Sequence, residues 1–124
     1  MIVGMGIDLA EVPRIAGMVK RWGDRFTRRV FTDGEREYAQ SRGNPASHFA
    51  ARFAAKEATL KALGVPPGLS WHEIEVVGGG NEPPLLVLRG QALAAANRLG
   101  TVRMHLSLTH TADVAAAVVV AEAE

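Results

Sequence analysis

Asp8, Glu57 and Lys61 are the residues of this 124-residue chain whose types and spacing could do chemistry together. Glu57 and Lys61 lie four apart in "FAARFAAKEATLKALG", residues 49–64, and so share one face of any helix formed there. Alone they make an ordinary helical ion pair worth about a few tenths of a kcal/mol. A second carboxylate converging on them would change that reading, and Asp8 is the natural one. It ends the predicted first strand, two residues after Gly6, on the face that carries the glycines. Glycine there lets another backbone approach closely. Two carboxylates completed by water and phosphate oxygens are the usual setting for magnesium where phosphoryl groups are transferred. On local grounds Asp8 would equally suit a turn or helix cap.

The elements that must position these residues are legible in outline. "MIVGMGID" alternates, with Val3, Met5 and Ile7 on one face and Ile2, Gly4, Gly6 and Asp8 on the other, as a strand does. Pro13 opens a helix in which Ile15, Met18, Val19 and Trp22 recur at helical spacing until Gly23 stops it. Phe31, Thr32 and Asp33 supply caps for a short helix over 34–41. Ser47 caps a helix over 48–63 that Gly64 closes. On that helix Phe49, Phe53, Leu60 and Leu63 form one apolar stripe, with Lys56 inside it. Glu57 and Lys61 run along the stripe's edge in line with Ala50 and Ala54, whose methyl groups leave room for a ligand.

"WHEIEVV" (71–77) and "LLVL" (85–88) read as a hairpin across the turn "GGGNEPP", and 91–99 as a short helix ended by Gly100. "VRMHLSLTH" and "DVAAAVVVAE" make a second hairpin, whose "AAAVVV" run lacks alternation and predicts cover on both faces. The expected fold class is α+β, an antiparallel sheet with helices packed against it, in one domain spanning 1–124. "GGGN" has neither the flanking elements nor the GK[ST] ending of a phosphate-binding loop. Ser107 and His110 have no acid beside them to make a nucleophilic pair.

Composition narrows the class. There are no cysteines, so disulfides and thiolate metal sites are excluded, and a metal would be held by hard ligands. Hydrophobic residues make up 48% but aromatics only 6%, which gives a thin core and favours burial against other subunits. No apolar run is long enough to span a bilayer, and the N-terminus lacks a basic leader and cleavage site. The expectation is a cytoplasmic protein with no membrane partner. Net charge is +1, yet between Arg14 and Arg29 six basic residues face one acid, Asp24. Such a stretch is either a solvated helix face or a footprint for an acidic partner.

Three motifs occur in order: "GIDLAEVPRI" at 6–15, "RFAAKEATLKALG" at 52–64 and "HLSLTHTADVAAAVV" at 105–119. Together they resemble the holo-[acyl-carrier-protein] synthases, the small trimeric class of 4′-phosphopantetheinyl transferases, over nearly the whole chain. The resemblance implies transfer of the phosphopantetheine arm of coenzyme A to a serine of apo acyl carrier protein, releasing adenosine 3′,5′-bisphosphate. It implies Asp8 and Glu57 as magnesium ligands and Lys61 as a contact to the pyrophosphate, with Asp8, Glu57 and Lys61 as the catalytic set. Arg52, Gly64 and His110, with Lys61, would hold coenzyme A. Arg14, Met18, Arg21, Arg25 and Phe26 would dock the acidic carrier, and the site would lie between subunits of a homotrimer. The base for the serine proton is either Glu57 or a metal-bound water.

Two other classes are weaker. A nucleic-acid module using the basic stretch would want aromatics interleaved for stacking, and would leave Asp8 and Glu57 without a purpose. A catalytically dead trimeric scaffold would not need Asp8, Glu57 and Lys61 intact. The sequence assigns no role to Lys56.

Overall fold

A computed structural model describes residues 1–124. The order is β1 (Ile2–Glu11), α1 (Val12–Trp22), α2 (Asp24–Val30), α3 (Asp33–Gln40), α4 (Pro45–Ala62), a 3-10 turn (Trp71–Glu73), β2 (Ile74–Val77), β3 (Leu85–Leu88), α5 (Gly90–Arg98), β4 (Thr101–His110) and β5 (Val114–Ala123). The fold is α+β with two antiparallel sheets, one ordered β1-β5-β4 and the other β2-β3. Both predicted hairpins form, β2 with β3 and β4 with β5.

The longest helix, α4, lies across β1 and β5. It sits so close that a Cβ on Gly4 would fall 1.9 Å from the Ala62 carbonyl oxygen, and one on Gly6 1.8 Å from that of Ala58. The helix answers with alanine: Ala50, Ala54, Ala58 and Ala62 are all buried. Ala50 and Ala54 are therefore not clearance for a ligand, as the spacing suggested. They are clearance for the sheet. The predicted apolar stripe divides accordingly, with Phe49 and Leu63 buried and Phe53 and Leu60 half-buried.

Other expectations shift for local reasons. β1 continues past Asp8 to Glu11 because β5 pairs with it as far as Val114. Asp8 is thus inside the strand, opposite Ala117. Ser47 lies in the first turn of α4 and donates back to the Asn44 carbonyl at 2.9 Å, so it caps nothing. Pro45, with no N–H to satisfy, starts the helix instead. Gly23, at φ 54°, breaks the basic stretch into α1 and α2. Residues 71–73 form a 3-10 turn before the strand begins. β5 is central by pairing but covered on one face only: Ala115, Ala117, Val119 and Ala121 are buried, while Val118 is 38% exposed. Met5, Ile7 and Leu9 of β1 are exposed as well.

Lys56, unexplained by sequence, turns inward. Its Nζ lies 2.7 Å from Glu35 Oε1, with both side chains fully buried, and donates to the carbonyls of Trp71 and Ile74. Burial pushes its ammonium below the ordinary range, and Glu35 opposes that. Glu35 also closes the capping box of α3, accepting from Thr32 N at 2.9 Å, and accepts from Val76 N at 2.8 Å. One buried ion pair thus ties α4, α3 and the start of β2 together.

Candidate active site

Asp8 and Lys61 meet because the glycines of β1 bring α4 down onto the strand. Lys61 Nζ donates to Asp8 Oδ1 at 3.0 Å and to the Ile7 carbonyl at 2.9 Å. The Asp8 side chain is 17% exposed and that of Lys61 48%, so the pair lies at the surface end of the helix–sheet seam. Glu57, one turn earlier on α4, is half-buried. Burial first, then the Asp8 charge, raises its carboxyl above the ordinary range, tempered by Lys61 and Arg14. Glu57 therefore feels the charges of Asp8, Lys61 and Arg14.

The donor set suits magnesium. The Asp8 charge adds to burial in raising Glu57, and a divalent cation would relieve that repulsion. No group of three or more His, Cys, Asp or Glu is assembled anywhere in the chain. A closed protein cage is thus absent, while the open set of one or two carboxylates that magnesium uses with water and phosphate oxygens is present.

The other expected residues are spread over several places. Arg52 and His110 line a cavity of about 210 Å³ with Tyr38, His48, Gly79 and Leu108. Arg52 is 2% exposed, donates from Nη2 to the Gly78 carbonyl at 2.7 Å, and lies 3.9 Å from the Tyr38 ring centre. Its Nε has no partner. Tyr38 and His48 of this cavity were missed by sequence reasoning, as was Arg42 over the Tyr38 ring at 4.3 Å. His48 had a signal, since it stands four residues before Arg52 on the same helix face. Gly64 takes φ 81° just past the end of α4, turning the chain away one residue after Leu63.

Met18, Arg25 and Phe26 share a surface cavity of about 280 Å³ with Trp22 and Arg29. Arg21 stacks over the Trp22 ring at 4.9 Å and Arg25 at 5.8 Å. Trp22, assigned by periodicity to the apolar stripe, is 42% exposed between two guanidiniums. Arg14 is not in this cavity. It lines a different groove with Leu9, Glu11, Pro13, Asp113 and Val114, and its charge acts on Glu57.

A family model described as the 4′-phosphopantetheinyl transferase superfamily matches residues 4–119. The chain belongs to this family. It is 49% identical over 127 residues to a holo-[acyl-carrier-protein] synthase of Koribacter versatilis, covering 98% of this chain and 99% of that one. Among solved structures, that of the holo-[acyl-carrier-protein] synthase of Neisseria meningitidis superposes with a TM-score of 0.86 at 34% identity, over 98% of this chain and 99% of that one. The ACPS–CoA complex of Chronobacterium ammoniagenes gives 0.84 at 32% identity, over 98% and 97%. The transferase fold expected from the motifs is therefore the fold observed. No helix is long and apolar enough to cross a membrane.

Proposed function

We propose that this transferase moves the 4′-phosphopantetheine arm of coenzyme A onto a serine of apo acyl carrier protein in a magnesium-dependent reaction, releasing adenosine 3′,5′-bisphosphate. The observation that carries this is the Lys61–Asp8 contact at 3.0 Å, with Glu57 near enough to feel both charges and that of Arg14. The serine oxygen forms a new bond to the β-phosphorus, the bond from that phosphorus to the bridging oxygen breaks, and the bisphosphate leaves with the electron pair. Magnesium held by Asp8 and Glu57 would supply charge neutralisation at the pyrophosphate oxygens. The Lys61 ammonium, half exposed beside Asp8, stands where it can stabilise charge building on the leaving group. The serine proton would pass to Glu57 or to a water on the metal.

Arg21, Arg25 and Arg29, around the cleft holding Met18, Trp22 and Phe26, suit an acidic carrier with an apolar contact. Such charge raises the association rate and is weakened by salt. Arg14, whose charge acts on Glu57, would meet the carrier near the reacting serine.

The exposed apolar residues Met5, Ile7, Leu9 and Val118 form the outer face of the larger sheet. A homotrimer would bury this face, with the sites between neighbouring subunits, and sedimentation at three chain masses tests it; a monomer would refute it. The reaction itself is tested by incubating protein, coenzyme A, apo carrier and magnesium, and following adenosine 3′,5′-bisphosphate by chromatography. Bisphosphate should appear in step with carrier and stop with EDTA. None in the complete mixture would refute the transfer.

A further inference from the structure

The helix that carries Glu57 and Lys61 is held differently on its two sides. Toward the sheet, the backbone of Ala58 and Ala62 meets that of Gly6 and Gly4. Alanine against glycine sets how close α4 lies, but it offers no interlocking ridge to fix the turn of the helix about its own axis. The hydrogen bonds across this seam come from Lys61, which belongs to the site and is half exposed. Lys56 lies about 160° round the helix from Ala58, on the far side. There it meets Glu35 of α3 at 2.7 Å and donates to the carbonyls of Trp71 and Ile74. One turn earlier Arg52 donates to the Gly78 carbonyl at 2.7 Å, so α4 is pinned along the length of β2. Lys56 and Glu35 are wholly buried, and neither is among the charges that act on Glu57. Apolar side chains of equal volume commonly stabilise a fold as well as a buried ion pair does. Stability therefore does not account for this one. What it adds is direction, because the pair is satisfied in one arrangement of α3, α4 and β2.

We propose that Lys56 and Glu35 are positioning residues for the transfer: their pair fixes the turn of α4 about its axis and so holds Glu57 and Lys61 against Asp8. The inference rests on the reading of those three residues as the magnesium and pyrophosphate site. Side chains reach about 5–6 Å from a helix axis, so a turn of about 10° moves their ends by about 1 Å. Such a turn carries Glu57 and Lys61 together and leaves Asp8, on β1, where it is. The separation of the two carboxylates changes, and magnesium demands near-ideal geometry from its ligands. A misplacement of about 1 Å costs about a hundredfold in rate.

The test compares the parent protein with the double variant Glu35→Leu plus Lys56→Met, whose core stays filled while the directional bonds are gone. Two quantities are read: the half-saturating magnesium concentration for transfer, and the gain in coenzyme A affinity that magnesium brings, by calorimetry. In the double variant the half-saturating concentration should rise about tenfold or more, and the calorimetric gain should shrink alike. KM for the carrier should hold, since the carrier face lies on α1 and α2. An inactive fraction cannot imitate this, because it lowers kcat and leaves half-saturation where it was. Unchanged half-saturation in the folded double variant overturns the proposal, as does an equal rise in KM for the carrier. Should that variant not fold, Glu35→Gln, which keeps the side chain's size and removes its charge, is read in its place. If neither folds, the pair holds the fold rather than the site, and the proposal falls. No transfer by the parent refutes the reaction and leaves the calorimetry to decide the positioning. A parent that also shows no magnesium-linked binding overturns both.

Discussion

Replacing Lys56 with methionine tests whether the buried pair holds α4 in place. Methionine matches the length of the side chain and removes the ammonium, so packing around Phe31, 5.9 Å away, is little changed. What remains is a fully buried Glu35 carboxylate with its two backbone donors but no cation, and the carbonyls of Trp71 and Ile74 without their shared donor. Removing one partner of a buried pair costs about 3–5 kcal/mol. Unfolding entropy of about 2.1 cal/mol/K per residue gives about 0.26 kcal/mol per degree for 124 residues, so the melting temperature should fall by about 12–19 °C. Circular dichroism melts at fixed concentration read this directly. The double variant Glu35→Leu with Lys56→Met removes both charges and should recover most of the loss. A single variant within about 4 °C of the parent, or a double variant no better than the single, would refute the reasoning.

Glu57→Gln should abolish magnesium-dependent turnover with the melt unchanged; turnover surviving at ordinary magnesium would remove Glu57 from the metal site. Because Glu57 is raised above the usual carboxylate range, protons compete with the metal there. The half-saturating magnesium concentration should therefore climb as pH falls toward that raised value, and a flat profile would contradict the assignment. Gly6→Ala places a Cβ against the Ala58 carbonyl and should cost about 1–3 kcal/mol or more by prising β1 from α4, read as a lower denaturant midpoint; an unchanged midpoint would mean the seam is looser than the structure shows. Arg25→Glu should raise KM for the carrier far more than KM for coenzyme A, and equal effects would move the docking face elsewhere.

The meeting of Asp8 with Lys61 was legible because each half of it is marked locally. Glu57 and Lys61 share a face by spacing alone, and the glycines of β1 mark the face that bears Asp8. The same glycines disclose why α4 is rich in alanine, but only once the helix is seen lying on them. Lys56 was opaque because Glu35 lies on another helix, with nothing local to link the two. The cavity of Arg52 was half legible for a similar reason: Tyr38, His48 and His110 come from three separate segments, and only the spacing of His48 to Arg52 is visible along one helix. Ser47 was misread because a serine near a helix start serves equally as cap or as first-turn residue, and Pro45 decided the matter.

The central claim is that Asp8, Glu57 and Lys61 form a site for transfer of a phosphopantetheine arm. Its most direct test is the intact mass of apo acyl carrier protein after incubation with this protein, coenzyme A and magnesium. The account predicts a gain of one phosphopantetheine arm on the carrier serine, lost with Asp8→Asn. An unchanged carrier mass, with a carrier that a known transferase modifies, would contradict it.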